Sequence, residues 1–378
     1  MRKSLLAVAV LGAFAANAMA ADVTLYGKVD TGLMYTNKKV GDEKAKNTVE
    51  MKGGIIGQSR WGLKGTEDLG NGYKVGFVLE NGFSSDTGAA GQSGKLFGRE
   101  ATINVSGPFG TVYAGRMGGV GGGSATSPVS LWSMGSAFST VWGNNSLAKT
   151  LQSNADRYDN SLAYVTPNFG GFQVIAFYSM GGDEATYKDK KENSEEVERY
   201  YGLGAKYVNG PVAVFGVVDQ MNYANGLAAN EKNDDSLAVT LGGSYDFAVA
   251  KVYATAQYFD NLMSRGSISN DTNAILNFGK GEQMKGWALS LSTNVPLAGG
   301  NFKAQIGYAD AEHVDDSKNK GKRYAVGVGY QYPLSKRTSL YAGASYMQDK
   351  YEGEDAVELN SGKKTKTTQA FFGLQHNF

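Results

Sequence analysis

Hydrophobic and polar residues alternate one by one along most of this chain. In LYGKVDTGLMY, Leu25, Val29, Leu33 and Tyr35 share one phase, while Lys28, Asp30 and Met34 share the other. In GWALSLSTNVPL, Trp287, Leu289, Leu291 and Val295 alternate with Ala288, Ser290, Ser292 and Asn294. Such alternation over about ten residues marks a strand with one apolar and one polar face. Sixteen segments read this way: 22–36, 57–68, 72–84, 97–107, 110–116, 156–167, 171–179, 198–209, 211–223, 235–247, 250–260, 285–296, 301–312, 322–333, 338–350 and 366–378. The expected fold class is all-β.

The connections alternate in length. LGNG (69–72), GPFG (107–110), NFGG (168–171), NGP (209–211), FAVA (247–250), PLAGG (296–300) and PLSKR (333–337) are short, and long polar stretches such as 181–198 and 315–322 lie between them. Short turns on one side and long loops on the other are what a transmembrane β-barrel requires. A soluble sandwich or solenoid also alternates. Three features favour the membrane: strands near the 9–11 residues needed to cross at a tilt, an even strand count, and aromatics near strand ends. Those aromatics are Tyr26, Tyr35, Tyr113, Tyr245, Phe247, Tyr332 and Tyr346. The last strand, with Ala370, Phe372, Leu374, His376 and Phe378 in one phase, runs to the final residue. In a barrel that strand pairs with the first, because unpaired backbone in lipid costs several kcal/mol per group. Phe378 is thus the expected closure residue, in a periplasmic aromatic girdle.

Composition sharpens this picture. Arg2 and Lys3 precede an apolar run, Leu5 to Ala16, and Ala18-Met19-Ala20 forms a cleavage site, so 1–20 reads as a secretory leader and 21–378 as one barrel domain. The apolar run is too short for a spanning helix. Of 37 basic residues two lie in the leader, which leaves 35 against 36 acids and a net charge of −1, arguing against nucleic acid as a partner. No cysteine is present, so disulfides and thiolate chemistry are excluded, and no cofactor is expected. His313 and His376 lie far apart without an obvious nucleophile, which speaks against an enzyme. A calcium site in the acidic stretch 310–316 is an open alternative to solvated loop charge. GVGGGS (119–124) lacks the lysine and helix of a phosphate loop.

Strand phase sets Lys28, Arg60, Lys64, Lys74 and Arg157 opposite the apolar positions, hence towards the lumen, since a lipid-facing base at mid-membrane costs about 2–4 kcal/mol. Arg99 and Arg116 fall in the apolar phase of their strands, and their orientation stays open. Asp30, Glu80 and Asp159 are lumen-phase acids. Ser290, Ser292 and Asn294 are expected to face pore water.

The stretches DVTLYGKVDTGL (22–33), SRWGLKGTEDLGNGYKVGF (59–77), FGREATINVSGPFGTVYAGR (97–116) and DRYDNSLAYVTPNFGGF (156–172), with the terminal Phe378, resemble the Gram-negative general porins, specifically the trimeric sixteen-stranded porins of Neisseria and other beta-proteobacteria. The resemblance covers essentially the whole mature chain. It implies a water-filled pore in the outer membrane, a homotrimer and a third long loop folded into the barrel, here about 117–155. The Pro-Glu-Phe-Gly that many members carry in that loop is absent. The resemblance also implies a ladder of pore-wall bases mapping to Lys28, Arg60 with Lys64, Arg99 and Arg157, and a local turn could bring Arg116 inside as well. Small outward residues of the early strands, Gly27, Gly65 and Ala114, suit subunit packing. From Met117 to Ala155 there is no Asp or Glu, and the one charge is Lys149. Uncompensated positive charge in a narrow pore concentrates anions. The expected function is passive diffusion of small hydrophilic solutes with an anion preference. The alternative is a non-conducting adhesion barrel that binds partners through its loops.

Overall fold

The computed structural model describes residues 23–122, 127–138, 142–143, 150–152, 157–181, 190–224, 234–263 and 282–378. The expected leader and Lys149 lie outside them. Within the described residues the strands are β1 (Thr24–Val40), β2 (Lys46–Gly53), β3 (Arg60–Gly70), β4 (Tyr73–Gly82), β5 (Glu100–Gly107), β6 (Gly110–Met117), β7 (Tyr158–Val165), β8 (Phe172–Ser179) and β9 (Arg199–Asn209). The second half comprises β10 (Val212–Asn222), β11 (Ser236–Asp246), β12 (Lys251–Met263), β13 (Gln283–Leu297), β14 (Gly300–His313), β15 (Lys320–Pro333), β16 (Thr338–Glu352) and β17 (Lys364–Asn377), with one short helix, α1 (Glu354–Leu359), before β17. All pair antiparallel in one sheet, which closes where β1 meets β17 from Lys28↔Asn377 to Val40↔Thr365. Every backbone edge along that seam is thereby paired, as a lipid environment demands.

The barrel has sixteen staves because β2 and β3 share one. The upper part of β1 pairs with β2 from Thr31↔Gly53 to Lys38↔Lys46, and its lower part pairs with β3 from Thr24↔Lys64 to Lys28↔Arg60. The reading of 57–68 as one strand therefore needs correcting. The stave is broken by a bend at 54–59, where Gly54 takes φ +71° and Ile55 and Ile56 turn into the interior. β2 escaped notice because its apolar alternation is limited to Val49 and Met51 within a polar stretch; in the structure it is exposed on both faces. The other fifteen segments match observed strands, with ends displaced by at most four residues.

The outer face is the apolar one. Leu25, Leu33, Leu203, Leu241, Trp287, Leu289, Leu291, Ile306, Phe372 and Leu374 all project outward and are exposed. Their strand neighbours Ser290, Ser292, Gln257, Gln305 and Gln375 are buried inside. The register of β13 is thus as expected, but Ser290 and Ser292 do not face open pore water. Both are buried, and the third loop reaches Ser292, whose Oγ accepts a hydrogen bond from the Ala137 amide at 2.9 Å.

That loop leaves β6 and lies against the inner wall. Its described residues Val120, Leu131, Trp132, Phe138, Trp142 and Leu151 are all buried. The wall is notched to receive them. A Cβ at Gly329 would come within 2.6 Å of the Trp142 ring, and one at Gly204 within 2.5 Å of Val120. Polar tethers complete the seating: Ser136 Oγ donates to Gln305 Oε1 at 3.0 Å, Thr255 Oγ1 to the Gly135 carbonyl at 2.8 Å, and Gln257 holds the Gln152 amide and carbonyl at 2.7 and 2.8 Å. Buried polar groups cost free energy unless so paired.

Candidate functional site

Among the described residues the loop's contacts fall on β7 to β17, on Met34 of β1 and on the 54–59 bend. The charged residues gather on the stretch formed by β1, β3, β4 and the start of β5. Glu80 is their hub. Its Oε1 accepts from Arg99 Nε at 2.6 Å, and its Oε2 lies 3.4 Å from Arg60 Nε and accepts from the Tyr26 hydroxyl at 3.1 Å. Arg99 also donates to Gln58 Oε1. Lys28 stands directly across from Arg60 in the strand pairing, its ammonium against Gly57. Arg157 donates from Nε to the Arg99 carbonyl at 3.0 Å. Lys64 is exposed, four residues beyond Arg60 along β3, with its ammonium 5.3 Å from the centre of the Tyr26 ring.

Arg99 is inside and buried, though strand phase pointed it outward. It sits in the bend before β5, where alternation no longer applies, while Glu100 and Thr102 keep the expected inward phase. Arg116 belongs to a separate group. Its guanidinium bonds Asp159 Oδ1 at 2.6 Å and the Gly98 carbonyl at 2.8 Å, and Lys95 reaches Asp159 Oδ2 at 2.8 Å. The strand is irregular there: Gly115 takes φ +126° and the β6–β7 register slips between Gly115 and Met117. Lys74 makes only an exposed rim pair with Asp68 at 4.0 Å.

Of the lumen-phase acids, Asp30 is no simple offset to the bases, while Asp159 pairs with bases outside the Glu80 group. Asp30 is fully buried and hydrogen-bonded, and Asp159 serves Arg116 and Lys95. Glu100 has the expected inward phase, but its place beside the acids of the site was not foreseen. It is buried and lies opposite Glu80 in the β4–β5 pairing, a position that the hairpin through 83–99 does not reveal without the register. Lys303 was also missed. It projects inward from β14 with its ammonium 4.8 Å from the Trp142 ring centre, a cation–π contact.

Tyr26, expected in the aromatic girdle, points inward to Glu80. Gly27 and Gly65 are not bare outward surface: a Cβ at Gly27 would fall 2.2 Å from the Phe378 ring, and one at Gly65 2.5 Å from Phe77. The acidic stretch 310–316 is committed within the chain. Asp310 lies 3.9 Å from Lys322, and Glu312 lies 3.6 and 3.3 Å from Lys285 and Lys320. His313 Nε2 meets Glu282 Oε2 at 2.7 Å while Nδ1 accepts from the amides of Asp315 and Asp316. Among the described residues no three potential ligands converge as a metal site.

A closed barrel, apolar outside, charged within and narrowed by a segment lying on its inner wall, defines an outer-membrane channel. A family profile described as Gram-negative porin matches residues 7–353. An outer membrane porin of Bordetella pertussis is 33% identical over 410 residues, covering 100% of both chains, and outer membrane porin protein 32 of Delftia acidovorans is 33% identical over 388 residues, again covering 100% of both. Among solved structures, an anion-selective porin from Comamonas acidovorans superimposes with a TM-score of 0.67 at 28% identity, covering 95% of this chain and 100% of that one. The chain belongs to the Gram-negative porin family, and its place is the outer membrane.

Proposed function

We propose that this porin passes small hydrophilic solutes by diffusion with a preference for anions, and that it works as a homotrimer. The observation that carries the preference is the asymmetry of the lumen. Lys28, Arg60, Lys64, Arg99 and Arg157 stand against Asp30, Glu80 and Glu100, while the stretch 117–155 has no acid to set against them. Among these acids Asp30 and Glu100 are withdrawn from solvent, and Glu80 is shared by two arginines. The remaining positive field in a low-dielectric passage favours anions. Selection is then by size at the loop and by charge at the wall, with Lys28, Arg60, Lys64, Arg99, Arg116 and Arg157 as the residues that set it and small carboxylates or phosphates as the favoured solutes.

The trimer rests on the family. A solved porin of Vibrio cholerae is described as a trimer form, and the outward stripe of Leu33, Met51, Tyr35 and Val49 on the β1–β2 hairpin offers a second copy an apolar surface. The small residues Gly27 and Gly65 no longer support it, being covered by rings of the same chain. The reversal potential across a planar bilayer under a salt gradient tests the selectivity. A cation-selective value that Arg60→Ala and Arg157→Ala leave unchanged overturns the reading.

A further inference from the structure

We propose that Asp30 is the positioning residue that pins the far end of the third loop, and so sets the bore, rather than an acid of the permeation field. Asp30 is on β1 at the break between β2 and β3, and it is 0% exposed. Four donors converge on its carboxylate. Oδ1 accepts from the Ile55 amide at 3.0 Å and the Tyr341 hydroxyl at 2.7 Å; Oδ2 accepts from the Ile56 amide at 3.3 Å and Gln375 Nε2 at 3.0 Å. The Asp30 main chain is captured too. Its carbonyl accepts from the Gly54 amide at 2.8 Å and Ser85 Oγ at 2.6 Å, and its amide donates to Ser59 Oγ at 3.0 Å. The chain between Gly54 and Ser59 is thereby fixed as an inward bend instead of continuing the stave.

That bend is what the loop rests on. The Ile55 carbonyl, fixed one atom chain away from the amide that Asp30 holds, accepts the Gly143 amide at 3.2 Å. Ile55 and Ile56 pack with Met34, Tyr341 and Phe371 into a socket around Phe138 and Trp142. Two of the socket's walls, Tyr341 and the bend, are therefore ligated by the same carboxylate. A carboxylate accepting four hydrogen bonds holds its donors more tightly than neutral acceptors do. Its charge is spent on those donors and is hidden from the passage.

Single-channel recording of folded protein separates the two roles. Tyr341→Phe removes one donor and alters no charge. Asp30→Asn keeps the shape and removes the charge. If Asp30 positions the loop, both variants show excursions to a higher-conductance level about tenfold more often than the parent, the effect of losing one charge-assisted hydrogen bond. Trp142→Ala shows the same excursions, and the Asp30→Asn, Trp142→Ala double variant shows no more than the Trp142→Ala single. Reversal potential stays at the parent value in Tyr341→Phe. A quiet, parent-like trace from folded Tyr341→Phe overturns the proposal, and so does an Asp30→Asn channel whose only change is a shift of reversal potential towards anions. If Asp30→Asn does not fold, Tyr341→Phe alone decides. A barrel-stability role would lower yield and melting temperature without adding excursions in the molecules that fold, and that result also counts against it.

Discussion

Gly27 and Phe378 exchange two backbone hydrogen bonds, each 3.0 Å, and the Phe378 ring lies where a side chain at position 27 would be. The terminal residue is therefore not loose: it completes the first strand from the other end of the chain. Gly27→Ala is expected to destabilise the barrel by about 1–3 kcal/mol through overpacking, with Phe378→Ala restoring part of the loss when the two are combined. Urea titration in detergent, followed by the shift in gel mobility on unfolding, measures it. An unchanged midpoint for Gly27→Ala means the ring gives way freely.

Glu80→Gln should move the reversal potential further towards anions, because the acid shared by Arg60 and Arg99 is removed while both bases stay. Arg99→Ala acts in the opposite direction and also costs stability, about 3–5 kcal/mol, by leaving buried Glu80 short of its best partner. A Glu80→Gln channel with the parent reversal potential would show that the field is set elsewhere.

Thiol labelling distinguishes three environments. Lys64→Cys should react quickly with a membrane-impermeant reagent, Ser290→Cys slowly because it is buried, and Leu289→Cys not at all from the aqueous side. Rapid labelling at 289 with none at 290 would mean that β13 is out of register by one residue.

Arg323 and Asp349 form a bidentate pair, 2.7 and 2.9 Å, sealed inside the extracellular end of β15 and β16. Arg323→Ala is expected to cost about 3–5 kcal/mol, whereas Lys74→Ala at the exposed rim pair with Asp68 costs under about 1 kcal/mol. Comparative thermal melts check the ranking, and equal effects would refute it.

The strands were legible because a barrel in lipid enforces the simplest code a chain can carry. Leu289 must meet hydrocarbon and Ser290 must not, so the pattern survives in the sequence. The turns at 107–110 and 296–300 were equally plain. Where the code lapses, the reading lapsed. In β2 only Val49 and Met51 alternate with Glu50 and Lys52, a run of four residues inside a polar stretch, too short to mark a strand by itself. The strand read from Gly57 begins only at Arg60, and the stretch before it is a bend, because what directs that bend is Asp30, a residue over twenty positions earlier. At the site, the inward bases on regular strands, Lys28 and Arg60, were readable from phase. Arg99 was not, since it lies in a bend, and the sharing of Glu80 between two arginines depends on the pairing of β3, β4 and the loop before β5.

The Asp30 carboxylate draws donors from 311 and 345 residues further along the chain, Tyr341 and Gln375. Contacts of such separation are made late, since the intervening chain must be ordered before they repay its closure. The socket for the third loop cannot be complete until the last two strands have docked against the first. A barrel caught before that moment has its walls begun and its bore undecided, so the molecule becomes a sieve only in the closing step of its own assembly.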